Sequence, residues 1–274
     1  MKIKLFILSI ALLAWGGINN TIYAQLVEPD VIQLPEPKTP PSEGFYNSFS
    51  AGVVLNNFGF GIDVNYSRVI APLTQITFQT GITGIRDVSE LTFQNFFTGQ
   101  KIVPNKYKRA FGFPFLFGLK HRIFARQIDD NFRLFVGAAA GPAVAFVYPY
   151  VRDGDENGFR TFRVDPRGFL YPAESVNDFF SGWSEGDWEW GFNGEIKIGI
   201  DFGTSFASQT TVEFGYFFYY FKQGLQIMEP YQPYGYDQLG NPIEVNESGN
   251  PKTFYEAQKY FGTPVIKLSF GGMW

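Results

Sequence analysis

With 22 Lys and Arg against 26 Asp and Glu, the 274-residue chain carries a net charge of −4 and has no basic surplus to neutralise a nucleic-acid backbone. It contains no cysteine, which excludes disulfides, thiol catalysis, cysteine metal sites and a lipoprotein-type anchor. Phe 32 and Tyr 15 lift the aromatic share to 19% while mean hydropathy stays at −0.08, an average that suits alternating greasy and polar residues better than apolar helices.

The first expected element is a leader. Met1 to Lys4 is basic, Leu5 to Trp15 is apolar, and Ile22-Tyr23-Ala24 ends on the small residue of a cleavage site, so residues 1–24 read as a signal peptide. The apolar run is shorter than the ~20 residues of a membrane-spanning helix. Residues 25–43 hold five prolines and no usable period, and read as a semi-rigid periplasmic tether, either a spacer or a docking peptide.

Strands with period-two alternation follow from residue 44 to the end. Phe45 to Leu55 sets Phe45, Phe49, Ala51, Val53 and Leu55 against Tyr46, Ser48, Ser50 and Gly52. After an Asn56-Asn57 turn, Phe58 to Arg68 sets Phe60, Ile62, Val64 and Tyr66 against Asp63, Asn65 and Ser67. Ile76 to Gly84 continues in the same way. Phe111 to Lys120 presents Phe111, Phe113, Phe115, Phe117 and Leu119 on one face, with Pro114 opposite, where a bulge is expected. The fifth strand, Phe132 to Phe146, opposes its apolar face to Arg133, Gly137, Ala139 and Gly141. In the sixth, Trp188 to Phe202, seven apolar residues face Glu189, Asn193, Glu195, Lys197 and Asp201. The seventh centres on Val212 to Tyr220. The eighth, Pro264 to Trp274, puts Ile266, Leu268, Phe270 and Trp274 on one side and Lys267 and Ser269 on the other.

Eight is an even number, and the connections near 70–75, 122–131 and 203–208 are short whereas 87–106, 148–187 and 222–259 are long. Both properties point to an all-β, eight-stranded antiparallel up-and-down transmembrane β-barrel with long extracellular loops and both termini at the short-turn side. On this alternation, loop parity and terminal aromatic, residues 44–274 resemble the small eight-stranded outer-membrane barrels of the OmpA-barrel and PorT-like kind. The resemblance implies a cell outer-membrane location after export and outer-membrane lipid as solvent; with no Cys and a single His, a non-enzymatic role is expected. It also implies recognition of the closing strand by the outer-membrane assembly machinery, with Phe270 and Trp274 matching that signal, and a periplasmic or secretion partner for the tether. A small porin-like channel is the alternative.

Several residues are candidates for chemistry. The inward set Asp63, Lys120, Arg133, Glu195, Lys197, Asp201, Glu213 and Lys267 balances four charges of each sign, as a lumen plugged by salt bridges requires and as a narrow ion path would also show. The single histidine, His121, is expected outward near the short-turn rim, as a structural residue. Asp153-Gly-Asp155-Glu-Asn157-Gly158 opens like a calcium loop, with Asp153, Asp155 and Asn157 as ligands, but its twelfth position is Val164 where a closing Glu belongs. Aromatic residues crowd the long loops: Tyr231, Tyr234 and Tyr236, with Phe159, Phe162, Phe169, Tyr171, Phe179, Phe180 and Trp183. They suit either loop packing or a binding surface. Asp237 to Pro242 is expected as the tip of a projecting hairpin.

Overall fold

In a computed structural model, residues 36–94, 99, 101–164, 166–168 and 170–274 are described. The signal peptide, tether residues 25–35 and Phe169 lie outside the described residues. Eight long strands form the barrel: β1 Asn47–Asn56, β2 Gly59–Ala71, β3 Thr74–Ile85, β4 Lys108–Arg122, β5 Phe132–Pro149, β6 Asp187–Ser205, β7 Ser208–Leu225 and β8 Gln258–Met273. Each pairs antiparallel with its neighbours in sequence, and β8 returns to pair with β1, with Leu268 opposite Val53. The Trp274 carbonyl accepts the amides of Tyr46 and Asn47, both at 3.0 Å, so the seam closes at the short-turn end. Closure leaves no unpaired edge, which a strand in lipid cannot tolerate.

Alternation does what the pattern requires. Phe60, Ile62, Ile76, Phe117, Trp190, Ile196, Ile266 and Phe270 stand exposed on the outer wall, while Asp63, Gln79, Arg133, Glu195, Glu213 and Lys267 are buried inside. An apolar exterior around a polar interior inverts a soluble barrel and is the surface of one facing lipid.

Three expectations are corrected here. Pro114 introduces no bulge: β3 and β4 keep one register on both sides of it, from Thr80 opposite Phe115 to Thr83 opposite Gly112. Proline removes a donor but adds no residue, and a bulge needs an extra residue. Register shifts fall instead near strand ends, between Val69 and Ala71, Phe202 and Ser205, and Tyr220 and Leu225. Phe45 is not on the wall; it precedes β1 and packs on Phe206 at the short-turn end, ring centroids 6.1 Å apart. The end of the tether is no free spacer either. Pro40 is buried, and the Lys38 carbonyl accepts from Arg122 Nη1 at 2.8 Å while its amide donates to Asp130 Oδ2 at 3.1 Å.

Candidate functional site

The interior has two layers. Nearer the short turns, Lys267 Nζ on β8 lies 2.6 Å from Glu195 Oε2 on β6 and 3.9 Å from Asp63 Oδ2 on β2. Lys197 pairs with Glu213 at 3.0 Å and with Glu195 at 3.9 Å, and Lys120 pairs with Asp201 at 2.8 Å. Gln79 donates to Asp63 and accepts from Lys197, and Thr211 donates to Asp201. Five of the eight expected charges, Asp63, Glu195, Lys197, Glu213 and Lys267, therefore form one net, and Lys120 with Asp201 forms a separate pair below it, so that each ammonium meets a carboxylate as burial demands. The eighth, Arg133, stands apart. Its Nη1 donates to the carbonyls of Asp130 and Gly203, both at 2.8 Å, and its guanidinium lies over the Phe206 ring. It lies level with Asp201, its partner on the β5–β6 ladder, and its two carbonyl bonds tie neighbouring short turns together.

Toward the long loops the lumen is apolar. Val54, Leu116, Ala143, Ala145, Phe217, Tyr219, Phe221, Phe261 and Val265 form a buried core. Tyr219 spans it, its hydroxyl 2.8 Å from Thr83 Oγ1 on the opposite wall. Phe217 meets Tyr219 edge-on with centroids 4.7 Å apart. At roughly 1.5–3 kcal/mol per large side chain, this layer is a core in its own right. The void where the two layers meet, bounded by Val54, Asp63, Gln79, Phe217 and Lys267, measures about 10 Å³, room for no more than one water. Sequence reasoning missed this layer. The signal was present in Phe217 to Phe221, where an unbroken aromatic run replaces the polar phase of the alternation.

The long loops interlock above it. The amides of Tyr107 and Lys108 donate to Ile227 O at 2.8 and 2.9 Å, Glu229 N to Asn105 O at 2.8 Å, and Tyr150 N to Tyr107 O at 2.8 Å. Lys106, Arg109 and Arg160 all approach the Tyr150 ring. This dome buries Ile227, Met228 and Glu229. Burial, opposed by the nearby Arg160 guanidinium, pushes the Glu229 carboxyl up to about 7. Burial together with the hydrogen bond to Asp153 raises the Tyr107 hydroxyl.

The calcium-type loop lies in this dome, where Glu174 joins the two expected aspartates. Asp153, Asp155 and Glu174 bring carboxylate oxygens within 4.8 Å of one another. Asn157 lies beside them, its Oδ1 accepting the Phe159 amide and its Nδ2 donating to Asp155 and Thr161. Asp153 is largely occupied: Oδ1 accepts from Asn157 N, and Oδ2 from Gly158 N and the Tyr107 hydroxyl. Glu174 Oε2 accepts Thr161 N at 2.7 Å. Three carboxylates could hold a hard cation, yet much of their capacity already holds the loop. Burial, the Asp153 hydrogen bond and the charge of Glu174 raise the Asp155 carboxyl.

From the dome projects a finger, residues 231–253. Tyr231–Gln232 pairs with Lys252–Thr253, and Gly235–Tyr236 pairs with Pro242–Ile243. The expected Asp237 turn forms its tip: Asp237 Oδ1 accepts the amides of Leu239 and Asn241, and Gly240 adopts φ 82°. Tyr231, Tyr234, Tyr236, Leu239 and Ile243 are exposed along it. His121 is exposed on the outer wall near the short-turn rim, as expected, with Nδ1 2.9 Å from Thr74 Oγ1. Phe270 and Trp274 both point outward.

No protein-family model and no curated protein sequence matches the chain. Among solved structures it is similar to Ail, the attachment invasion locus protein of Yersinia pestis, at 8% identity and a TM-score of 0.35, covering 84% of this chain and 99% of that one. It is also similar to a major outer membrane protein from Thermus thermophilus, at 9% identity, a TM-score of 0.41 and coverage of 83% and 98%. Neisserial surface protein A matches at 11% identity, a TM-score of 0.32 and coverage of 83% and 94%. At these scores the likenesses carry no argument of their own, and the eight-stranded barrel rests on the strand pairing above.

Proposed function

We propose that the protein is an integral, non-enzymatic outer-membrane β-barrel whose lumen is a structural plug and whose working surface is the finger and dome formed by its long loops. The observation that carries this reading is the filled lumen, an ionic net backed by an aromatic core, beneath a finger whose tyrosines are left uncovered. Exposed Tyr beside Gly and Asn offers rigid apolar area with a hydrogen-bonding tip, the composition of protein-contact surfaces. In this reading the leader is cleaved on export, and Phe270 and Trp274 present the closing strand to the assembly machinery. The Pro-rich segment, anchored through Lys38 and Pro40, meets a periplasmic or secretion partner at the short-turn end.

Reconstitution into planar bilayers tests the plug. Purified protein that refolds with heat-modifiable gel migration yet shows no steady conductance supports the reading. Steady openings would establish a porin-like channel in its place, and failure to migrate in a heat-modifiable way would remove the membrane barrel altogether.

A further inference from the structure

Part of the β5–β6 loop leaves the dome and folds back along the outside of the barrel. Residues 177–186 are clamped there. Asn177 N donates to Tyr150 O at 2.9 Å, Arg109 Nη1 donates to Asp178 O at 2.8 Å, and Arg109 Nη2 to Asn177 O at 3.2 Å. Asp178 Oδ1 accepts the amides of Phe180 and Ser181, both at 2.8 Å, and a 3-10 turn follows at Trp183–Glu185. Gly186 lets the chain pass so close to the Phe146 ring that a Cβ would collide with it.

The contact is with the outer wall. Phe179 lies 5.7 Å from Phe111 and Trp183 lies 6.3 Å from Phe146, ring to ring, and both partners are outward residues of β4 and β5. Tyr148 is wholly buried beneath the segment. The upper side of the segment is bare: Phe180 is 68% exposed, with Phe179 and Trp183 also exposed beside Trp188 and Trp190. A cluster held this firmly in place with its apolar side uncovered implies a permanent apolar neighbour.

Its height identifies that neighbour. Phe132 pairs with Phe202 at the short-turn end of β5 and β6, and Phe146 pairs with Trp188 fourteen residues further along the same ladder. Fourteen residues at ~3.3 Å each span about 46 Å along the strand, or about 33 Å along the membrane normal at a ~45° tilt, close to the ~30 Å of a hydrocarbon core. The two aromatic pairs therefore mark the two edges of the lipid-facing wall, and residues 177–186 lie at the upper edge. Trp is a side chain that settles at the boundary between headgroups and acyl chains, and Phe beside it supplies the apolar area that interfacial segments bury there.

Resting on the membrane reading above, we propose that residues 177–186 form an interfacial anchor, with Phe179, Phe180 and Trp183 set into the outer leaflet beside β4–β6 and widening the barrel's lipid contact on that side. Phe117, Leu119, Phe192 and Ile196 continue the same apolar face downward, so lipid that wets the wall also reaches the anchor.

The absence of native cysteine permits a direct test. Single nitroxide labels are placed by Phe180→Cys, by Ile196→Cys on the mid-wall and by Leu239→Cys at the finger tip, in the full chain refolded into phosphatidylcholine vesicles. Collision with oxygen is compared with collision with a water-soluble nickel chelate. The expected ratio at position 180 is several-fold above that at 239 and approaches that at 196. If 196 reads as lipid while 180 matches 239, the anchor is wrong and the barrel reading stands. If 180 is shielded from both reagents, protein covers the segment and the anchor is again wrong. If 196 itself matches 239, the membrane reading has failed first.

Discussion

Lys267 on the closing strand and Glu195 on β6 meet at 2.6 Å across the lumen, with β7 between their strands and 72 residues of chain separating them. Glu195 and Asp63 both face Lys267, so one ammonium ties the first, middle and last parts of the barrel together. Lys267→Met leaves these carboxylates short of a buried cation and is expected to cost about 3–5 kcal/mol. Urea unfolding of the reconstituted barrel reads this, and adding Glu195→Gln should recover part of the loss. A wild-type midpoint for Lys267→Met would show that the net contributes nothing to stability.

The aromatic layer depends on a gap in the opposite wall. Gly112 lies under the Tyr219 ring and hydroxyl, leaving no room for a side chain. Gly112→Val forces Tyr219 out of its rotamer and is expected to destabilise by about 1–3 kcal/mol. Tyr219→Ala in the same chain should recover stability relative to Gly112→Val, because it vacates the space that the valine needs. If the double variant is no better than the single one, the two residues do not compete for one volume.

The dome should loosen as pH rises. The Glu229 carboxyl titrates near 7 when folded, against an ordinary value of 4.5, so the folded state holds the proton more tightly than the unfolded chain. Its stabilisation is full below about 4.5 and lost as pH climbs through 7, an effect on the order of 2 kcal/mol. The amides of Glu229 and Tyr231, bonded to Asn105 O and Gly158 O, should lose protection between pH 5 and 8 beyond the intrinsic rise in exchange. Glu229→Gln should abolish that extra loss. A wild-type profile already flat in protection would contradict the assignment.

The acidic loop should respond to neutralisation. Asp155 is largely exposed and crowded by Asp153 and Glu174, so Asp155→Asn is expected to stabilise the loop by a few tenths of a kcal/mol after solvent screening. Exchange at Gly158 and Thr161, whose amides bond Asp153 and Glu174, is the readout. Millimolar calcium should slow the same amides in the wild type and lose its effect in the variant. Equal response of both proteins would show that any bound cation does not use Asp155.

Sequence alone determined the barrel, because alternation is a local property: a strand with Ile62, Val64 and Tyr66 on one side and Asp63, Asn65 and Ser67 on the other has only one way to face lipid and a lumen. Loop lengths followed from the same count, as did the outward turn of His121 and the Asp237 tip, which needs nothing beyond its own neighbours. What only the tertiary structure decided were matters of height and partner. Period two says that Arg133 faces inward but not that its guanidinium goes to the carbonyls of Asp130 and Gly203 rather than to a carboxylate. The carboxylate that joins Asp153 and Asp155 is Glu174, brought in by chain folding from outside the twelve-residue spacing. Phe179, Phe180 and Trp183 read from sequence as loop aromatics, and only the packing of their segment on Phe111 and Phe146 places them on the outer wall. Side-chain direction is set within a few residues, whereas depth, charge pairing and loop docking depend on contacts between segments far apart in the chain.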